Sequence, residues 1–213
     1  MIATKVIPIG FLSIGVFLLM QVLLPIASFQ IWAIGQKYSN GLLISPNSPH
    51  ESQVLGVSIR NKDNFSLIVS NLTRESKASY NEFRLSVPRL KMEKAIVSVD
   101  SNEISRGLVH LPGSALPGEK GNVFISGHSA LSQLFSFQSA AFAKLQDLKI
   151  GDEIIVETDN IKYVYQVTNL KVVDPSDLSV ISTPDSVNRY ISLMTCVPPG
   201  LNFKRLVVLA KML

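Results

Sequence analysis

The sequence predicts a mainly β fold, a closed or nearly closed β-barrel with a short helical insertion, set behind an N-terminal transmembrane helix. Three observations carry this. Residues 6–35 form a run of 30 residues without a single charge. From Phe83 onward, seven short runs rich in Val, Ile and Tyr are separated by Gly, Pro, Asn or Asp, the pattern of β-strands joined by turns. One stretch, residues 140–148, instead spaces Phe142, Leu145 and Leu148 three residues apart, which predicts a short helix. At 213 residues, the chain holds one domain of ordinary size and an appendage.

Within an N-terminal anchor segment of residues 1–35, the uncharged run of residues 6–35 exceeds the roughly 20 apolar residues that cross a bilayer and the apolar region of a cleaved signal peptide. The segment is expected to anchor, with cleavage near Ala27-Ser28 as the alternative. Lys5 and the amino terminus flank one side and Lys37 the other, so the charge bias says little about orientation. A short tail and a large C-terminal domain favour the tail inside and the domain outside. Trp32 and Tyr38 would then lie near the outer interface.

Residues 36–82 read as a stalk and entry segment. Ser45-Pro46-Asn47-Ser48-Pro49 carries the turn formers of a linker, His50 beside it reads as solvated, and Asn61 to Asn64 punctuates two β-type runs, residues 54–59 and 65–69. Asn64-Phe65-Ser66 and Asn71-Leu72-Thr73 fit the N-glycosylation pattern. Residues 83–213 form the third part, with strands expected at 83–87, 95–99, 122–126, 153–157, 163–173, 190–196 and 205–212. The helix of residues 140–148 leads into a Gly151-Asp152 turn. Twenty Lys and Arg against 16 Asp and Glu leave a net charge of +4. They are spread along the chain with no aromatic-basic stripe, which argues against a nucleic-acid partner.

Cys196 is the single cysteine and ends the expected strand Ser192-Leu193-Met194-Thr195-Cys196. Outside the cytosol a lone thiol cannot close a disulfide within the chain, so it is a buried core residue, a link between chains or a reactive nucleophile. A nucleophilic thiol needs an imidazole or a cation to favour its thiolate. His128 is the best placed of the three histidines, following the strand Val123-Phe124-Ile125-Ser126 and Gly127. His110, within Leu108-Val109-His110-Leu111-Pro112, reads as a structural strand residue, with catalysis the lesser reading. Arg205 offers a permanently charged fork of donors for a developing oxyanion. Residues 197–202, with two prolines and a glycine, must turn, so a returning strand can bring Arg205 beside Cys196, nine positions earlier. Lys204 then points to the opposite face. A surface charge is the plain alternative for Arg205.

These segments together resemble the sortases, cysteine transpeptidases of bacterial cell surfaces, over roughly residues 83–213. Ser192-Leu193-Met194-Thr195-Cys196 is similar to the sortase Thr-Leu-x-Thr-Cys signature, with Ser in the first place. Gly121-Asn122-Val123-Phe124-Ile125-Ser126-Gly127-His128-Ser129 resembles the segment bearing the sortase histidine, and Arg205-Leu206-Val207-Val208 the arginine strand. Leu116-Pro117-Gly118-Glu119 and Leu148-Lys149-Ile150-Gly151-Asp152-Glu153-Ile154 are also similar. Within the family the likeness is closest to classes C, D and E.

The resemblance implies a sortase-like closed barrel of about eight strands with short helical insertions. It assigns the nucleophile to Cys196, the acid and base to His128 and oxyanion stabilisation to Arg205. Thr195 would help shape the site, and the linker of residues 174–188, through Leu178, Val180 and Ile181, would contribute to a substrate groove, with ordinary loop packing an equal alternative for these apolar residues. The implied reaction cleaves a Leu-Pro-x-Thr-Gly-like sorting signal of a secreted protein through a thioester and transfers the protein to an amine. The implied partners are such secreted proteins, an amine acceptor on the cell wall or a pilin, and the membrane, with the catalytic domain outside a single-pass anchor. No cofactor is expected, because Asp174, Asp177 and Asp185 lack the spacing of a calcium loop. Two other readings stay open: a hydrolytic cysteine peptidase on the same barrel, and a non-catalytic surface module.

Overall fold

The computed structural model describes residues 11–21, 23–24, 27–28, 30–31, 34, 57–62, 65–70, 78–129, 140–159, 161–199 and 203–213. Trp32, Tyr38, the linker with His50, and the Asn residues of both glycosylation triplets lie outside them. The chain divides into two compact units, Met1–Gly41 and Leu42–Leu213. In the first, residues 11–21 are α-helical, and Phe11, Phe17 and Leu19 are more than half exposed. Among the described residues no helix is long and apolar enough to cross a membrane, so the expected transmembrane helix is not established by the fold.

In the second unit, β1 (Val57–Lys62) and β2 (Phe65–Ser70) form an antiparallel pair in one-for-one register, from Val57↔Ser70 to Lys62↔Phe65. The first strand runs through Asn61 and Lys62, beyond the expected end at residue 59. A ladder joins backbone groups whatever the side chain, so polar residues can extend it.

Eight further strands close into a barrel. They are β3 (Glu82–Val87), β4 (Met92–Ser98), β5 (Leu108–His110), β6 (Gly121–Ser126), β7 (Glu153–Thr158), β8 (Ile161–Val173), β9 (Arg189–Val197) and β10 (Lys204–Met212). The order around the barrel is β10-β8-β7-β3-β4-β5-β6-β9, and β9 pairs back onto β10. The β4–β5 and β6–β9 pairs are parallel; the others are antiparallel.

Burial follows the pleat. Along β7 the even positions Ile154, Val156 and Thr158 are buried and their neighbours are not, as expected when one face packs inward and the other meets water. On β6 and β9 almost every side chain is buried, because the barrel closes one face and connections cover the other. That is why both strands read as nearly continuous apolar runs. Phe83, Leu85, Ile125, Leu193 and Val208 are among the buried core, each contributing roughly 1.5–3 kcal/mol by leaving water.

Two elements differ from expectation. The strand β5 has three residues and pairs by two rungs with each neighbour, too short to show a period in the sequence. The expected helix of residues 140–148 is a set of turns followed by a 3-10 turn, Leu145–Asp147. The spacing of Phe142, Leu145 and Leu148, all buried, fits three residues per turn and not the α period of 3.6.

Candidate active site

Cys196 lies next to the end of β9, the strand flanked by β6 on one side and β10 on the other. On the β10 side, Arg205 is paired with Cys196. The returning strand thus brings sulfur-bearing and guanidinium-bearing residues onto one rung. On the β6 side the parallel register runs from Gly121↔Arg189 to Ser126↔Met194. Continued by two residues, it sets His128 level with Cys196.

The segment carrying His128 is tied down from both sides. Gly127 N–H donates to the Met194 carbonyl at 3.1 Å, and Phe142 N–H donates to the His128 carbonyl at 3.2 Å. The Thr195 hydroxyl donates to the Gly127 carbonyl at 2.9 Å. Thr195 is buried and its hydroxyl holds the backbone just before His128.

Gly127 is required there by close approach. A Cβ at this position would stand 2.5 Å from Leu108 Cδ2 and 2.7 Å from Phe142 Cδ2, and both side chains are buried. Gly127→Ala should therefore lower stability by about 1–3 kcal/mol through overpacking. Urea unfolding checks this, and an unchanged midpoint would show that Leu108 and Phe142 give way freely.

Alternation along a strand decides which face the site occupies. Met194, two residues before Cys196, packs with Leu111, Phe124, Val173 and Val207, and Val207 is two residues beyond Arg205. Leu178, Val180 and Ile181 rest against that cluster from the 3-10 turn Leu178–Ile181, between β8 and β9. All three are half-buried. The opposite face, with Ile125, Leu193, Leu206 and Val208 fully buried, fills the barrel interior. Cys196 and Arg205 accordingly share the outer, linker-covered face.

Burial sets the electrostatics. Cys196 is 2% exposed and Arg205 1%. Burial pushes the Cys196 thiol from 9.0 up to about 12, opposed by the charge of Arg205. Burial also lowers the Arg205 pKa, opposed by Cys196, and burial lowers His128 from 6.5. Low dielectric disfavours the charged form of each group. Both shifts favour the neutral thiol and the neutral imidazole over the ion pair. Arg205 Nη1 donates to the Lys204 carbonyl at 3.1 Å, which orients the fork, and Lys204 itself turns outward to Asp174 at 2.6 Å.

His110 belongs to a different cluster. It is fully buried, with Nε2 at 2.9 Å from the Ala115 carbonyl and 2.8 Å from Ser114 Oγ. Asp100 N–H donates to its Nδ1 at 3.3 Å. This ties β5 to the segments before and after it. The three linker carboxylates are engaged separately. Asp174 pairs with Lys204, Asp177 accepts from Ser179 N–H at 3.0 Å, and Asp185 accepts from the Val187 and Asn188 N–H groups and the Tyr190 hydroxyl. Among the described residues no group of His, Cys, Asp and Glu is arranged to hold a metal ion.

Asn122 was not singled out by the sequence. It is a buried polar side chain on β6 that donates to the Ile181 carbonyl at 3.0 Å. Its signal was an amide directly preceding the apolar run Val123-Phe124-Ile125.

Comparison with known proteins bears on the family and the fold. The Sortase domain family matches residues 85–213. Sortase D of Bacillus subtilis is 27% identical over 115 residues, covering 54% of this chain and 53% of that protein; the chain thus spans about half the length of this relative. The crystal structure of the complex of Streptococcus agalactiae sortase C1 and MTSET is similar with a TM-score of 0.55 at 26% identity, over 64% of this chain and 71% of that one. Sortase A from Corynebacterium diphtheriae has a TM-score of 0.54 at 30% identity, over 63% and 61%. With a family match from within β3 to the end of the chain and related sortases of the same fold, the chain belongs to the sortase family.

Proposed function

We propose that the protein is a membrane-anchored cysteine transpeptidase that cleaves a Leu-Pro-x-Thr-Gly-like sorting signal and transfers the secreted protein to an amine. The observation that carries this reading is the strand register: Arg205 is paired with Cys196 from β10, and the β6 register leads to His128 on the other side. The Cys196 proton passes to His128, and the thiolate attacks the peptide carbonyl between Thr and Gly of the signal. Arg205 faces the oxygen that becomes negative. The C–N bond breaks as His128 returns its proton to the leaving amine, which leaves a thioester on Cys196. An incoming amine, from a cell-wall peptide or a pilin lysine, gives a proton to His128 and attacks the thioester. The C–S bond breaks and the thiol is restored. Leu178, Val180 and Ile181 offer an apolar wall for the Leu-Pro part of the signal. The charge-free run of residues 6–35 supports a single-pass anchor, and a barrel outside the cell is part of the same proposal.

The test is to supply a Leu-Pro-Glu-Thr-Gly peptide with and without triglycine as the amine. A transpeptidase gives a joined product whose yield rises with triglycine; free acid formed regardless of amine would identify a hydrolytic peptidase.

The directions of these shifts have a consequence for pH. The reactive thiolate–imidazolium pair carries the same number of protons as the neutral pair, so both are populated between the same two titrations. The rate kcat/KM should rise as pH passes the lowered His128 pKa, below 6.5. It should fall only as Cys196 itself ionises, toward about 12. A pH–rate profile with a thiolate titration by ultraviolet absorbance checks both limbs. Full thiolate formation below pH 9.0, the ordinary value, would contradict this assignment.

A further inference from the structure

Asn122 stands on β6, beside Tyr190 of β9, and is 5% exposed. Its Nδ2 donates to the Ile181 carbonyl at 3.0 Å and to the Val180 carbonyl at 3.5 Å. Only the amide nitrogen can serve two carbonyl acceptors, which fixes the orientation of the group. Its Oδ1 is buried with no hydrogen-bond partner among the described residues. A buried acceptor left unmade is unfavourable, and an apolar side chain would avoid it. What the amide contributes is the pair of donors, and both go to the linker.

That linker, residues 174–188, is fastened at its ends as well. Lys204 holds Asp174 at its start. At its finish the Asp185 carboxylate accepts from Val187 N–H, Asn188 N–H and the Tyr190 hydroxyl. Between these ends Asn122 reaches from the barrel to the 3-10 turn Leu178–Ile181. The turn's side chains rest on the cluster that contains Met194 and Val207, which share the face of Cys196 and Arg205. We infer that Asn122 is a positioning residue: it clamps the Leu178–Ile181 wall against the barrel and so sets how tightly a peptide is held, without touching the reacting atoms. The link to peptide binding rests on the proposed function; the clamp itself does not.

The test uses the full chain with Asn122→Ala, which removes the donors, and Asn122→Asp, which keeps the shape but replaces the donor by an acceptor. The reporter is hydrogen exchange at the Ser182 amide, which donates to the Ser179 carbonyl at 3.1 Å within the turn. Both variants should exchange there roughly three- to tenfold faster, the effect of one lost hydrogen bond. KM for the Leu-Pro-Glu-Thr-Gly peptide should rise by a similar factor, with kcat and the alkylation rate of Cys196 unchanged. Unaltered exchange in both variants overturns the clamp, as does an Asn122→Ala protein that fails to fold, since the residue would then support the barrel itself. A fall in kcat at constant KM overturns the positioning role. If the unmodified protein joins no peptide, the proposed function fails, and the exchange measurement still decides the clamp.

Discussion

Cys196→Ala is expected to abolish peptide joining, with kcat reduced by about a millionfold, the scale seen when a nucleophile is removed from a catalytic group of this kind. The barrel should survive. The side chain lost is small, and its neighbours Thr195 and Val197 keep their rungs with Leu206 and Lys204, so stability should change by only about 1 kcal/mol. Single-turnover kinetics and a thermal melt on the same preparation separate the two effects. Joining that persists in this variant would leave the barrel with a nucleophile elsewhere.

Arg205→Ala should lower kcat by roughly a hundred- to a thousandfold, the range for loss of a preorganised oxyanion donor. It also removes the charge that holds the Cys196 pKa down against burial, so the thiol should titrate higher than in the unaltered protein. Arg205→Lys separates the two contributions. The ammonium keeps the positive charge near Cys196 but lacks the planar fork, so the thiol pKa should be largely restored and kcat should not. Steady-state rates with a thiolate titration on all three proteins check this. Recovery of kcat in the lysine variant would show that charge alone suffices.

Much of the barrel was legible because its strands obey simple periods. The runs that became β7 and β8 alternate in burial or carry β-branched and aromatic residues between turn formers, and β6 and β9 read as continuous apolar runs. The segment β5 was absent from the expected set of strands, since three residues cannot display a period, although His110 within it read as a strand residue. The insertion of residues 140–148 showed its buried side chains correctly, but a spacing of three is shared by one α turn and one 3-10 turn. At the site, chain order suggested that Arg205 returns beside Cys196, and the pairing of β9 with β10 places the two on one rung. The level of His128 was not derivable, because it depends on a parallel pairing between strands far apart in sequence. Gly127 and Asn122 matter through neighbours, Leu108 and Phe142 for the first and the Ile181 carbonyl for the second, that only the closed barrel supplies.

The most direct measurement is intact-mass spectrometry of the full chain, quenched in acid during reaction with a Leu-Pro-Glu-Thr-Gly peptide. The account predicts an acyl group ending in the peptide's threonine, attached to Cys196, that disappears when triglycine is added and is absent from the Cys196→Ala variant. Joined product accumulating while Cys196 stays unmodified at every time point would contradict it.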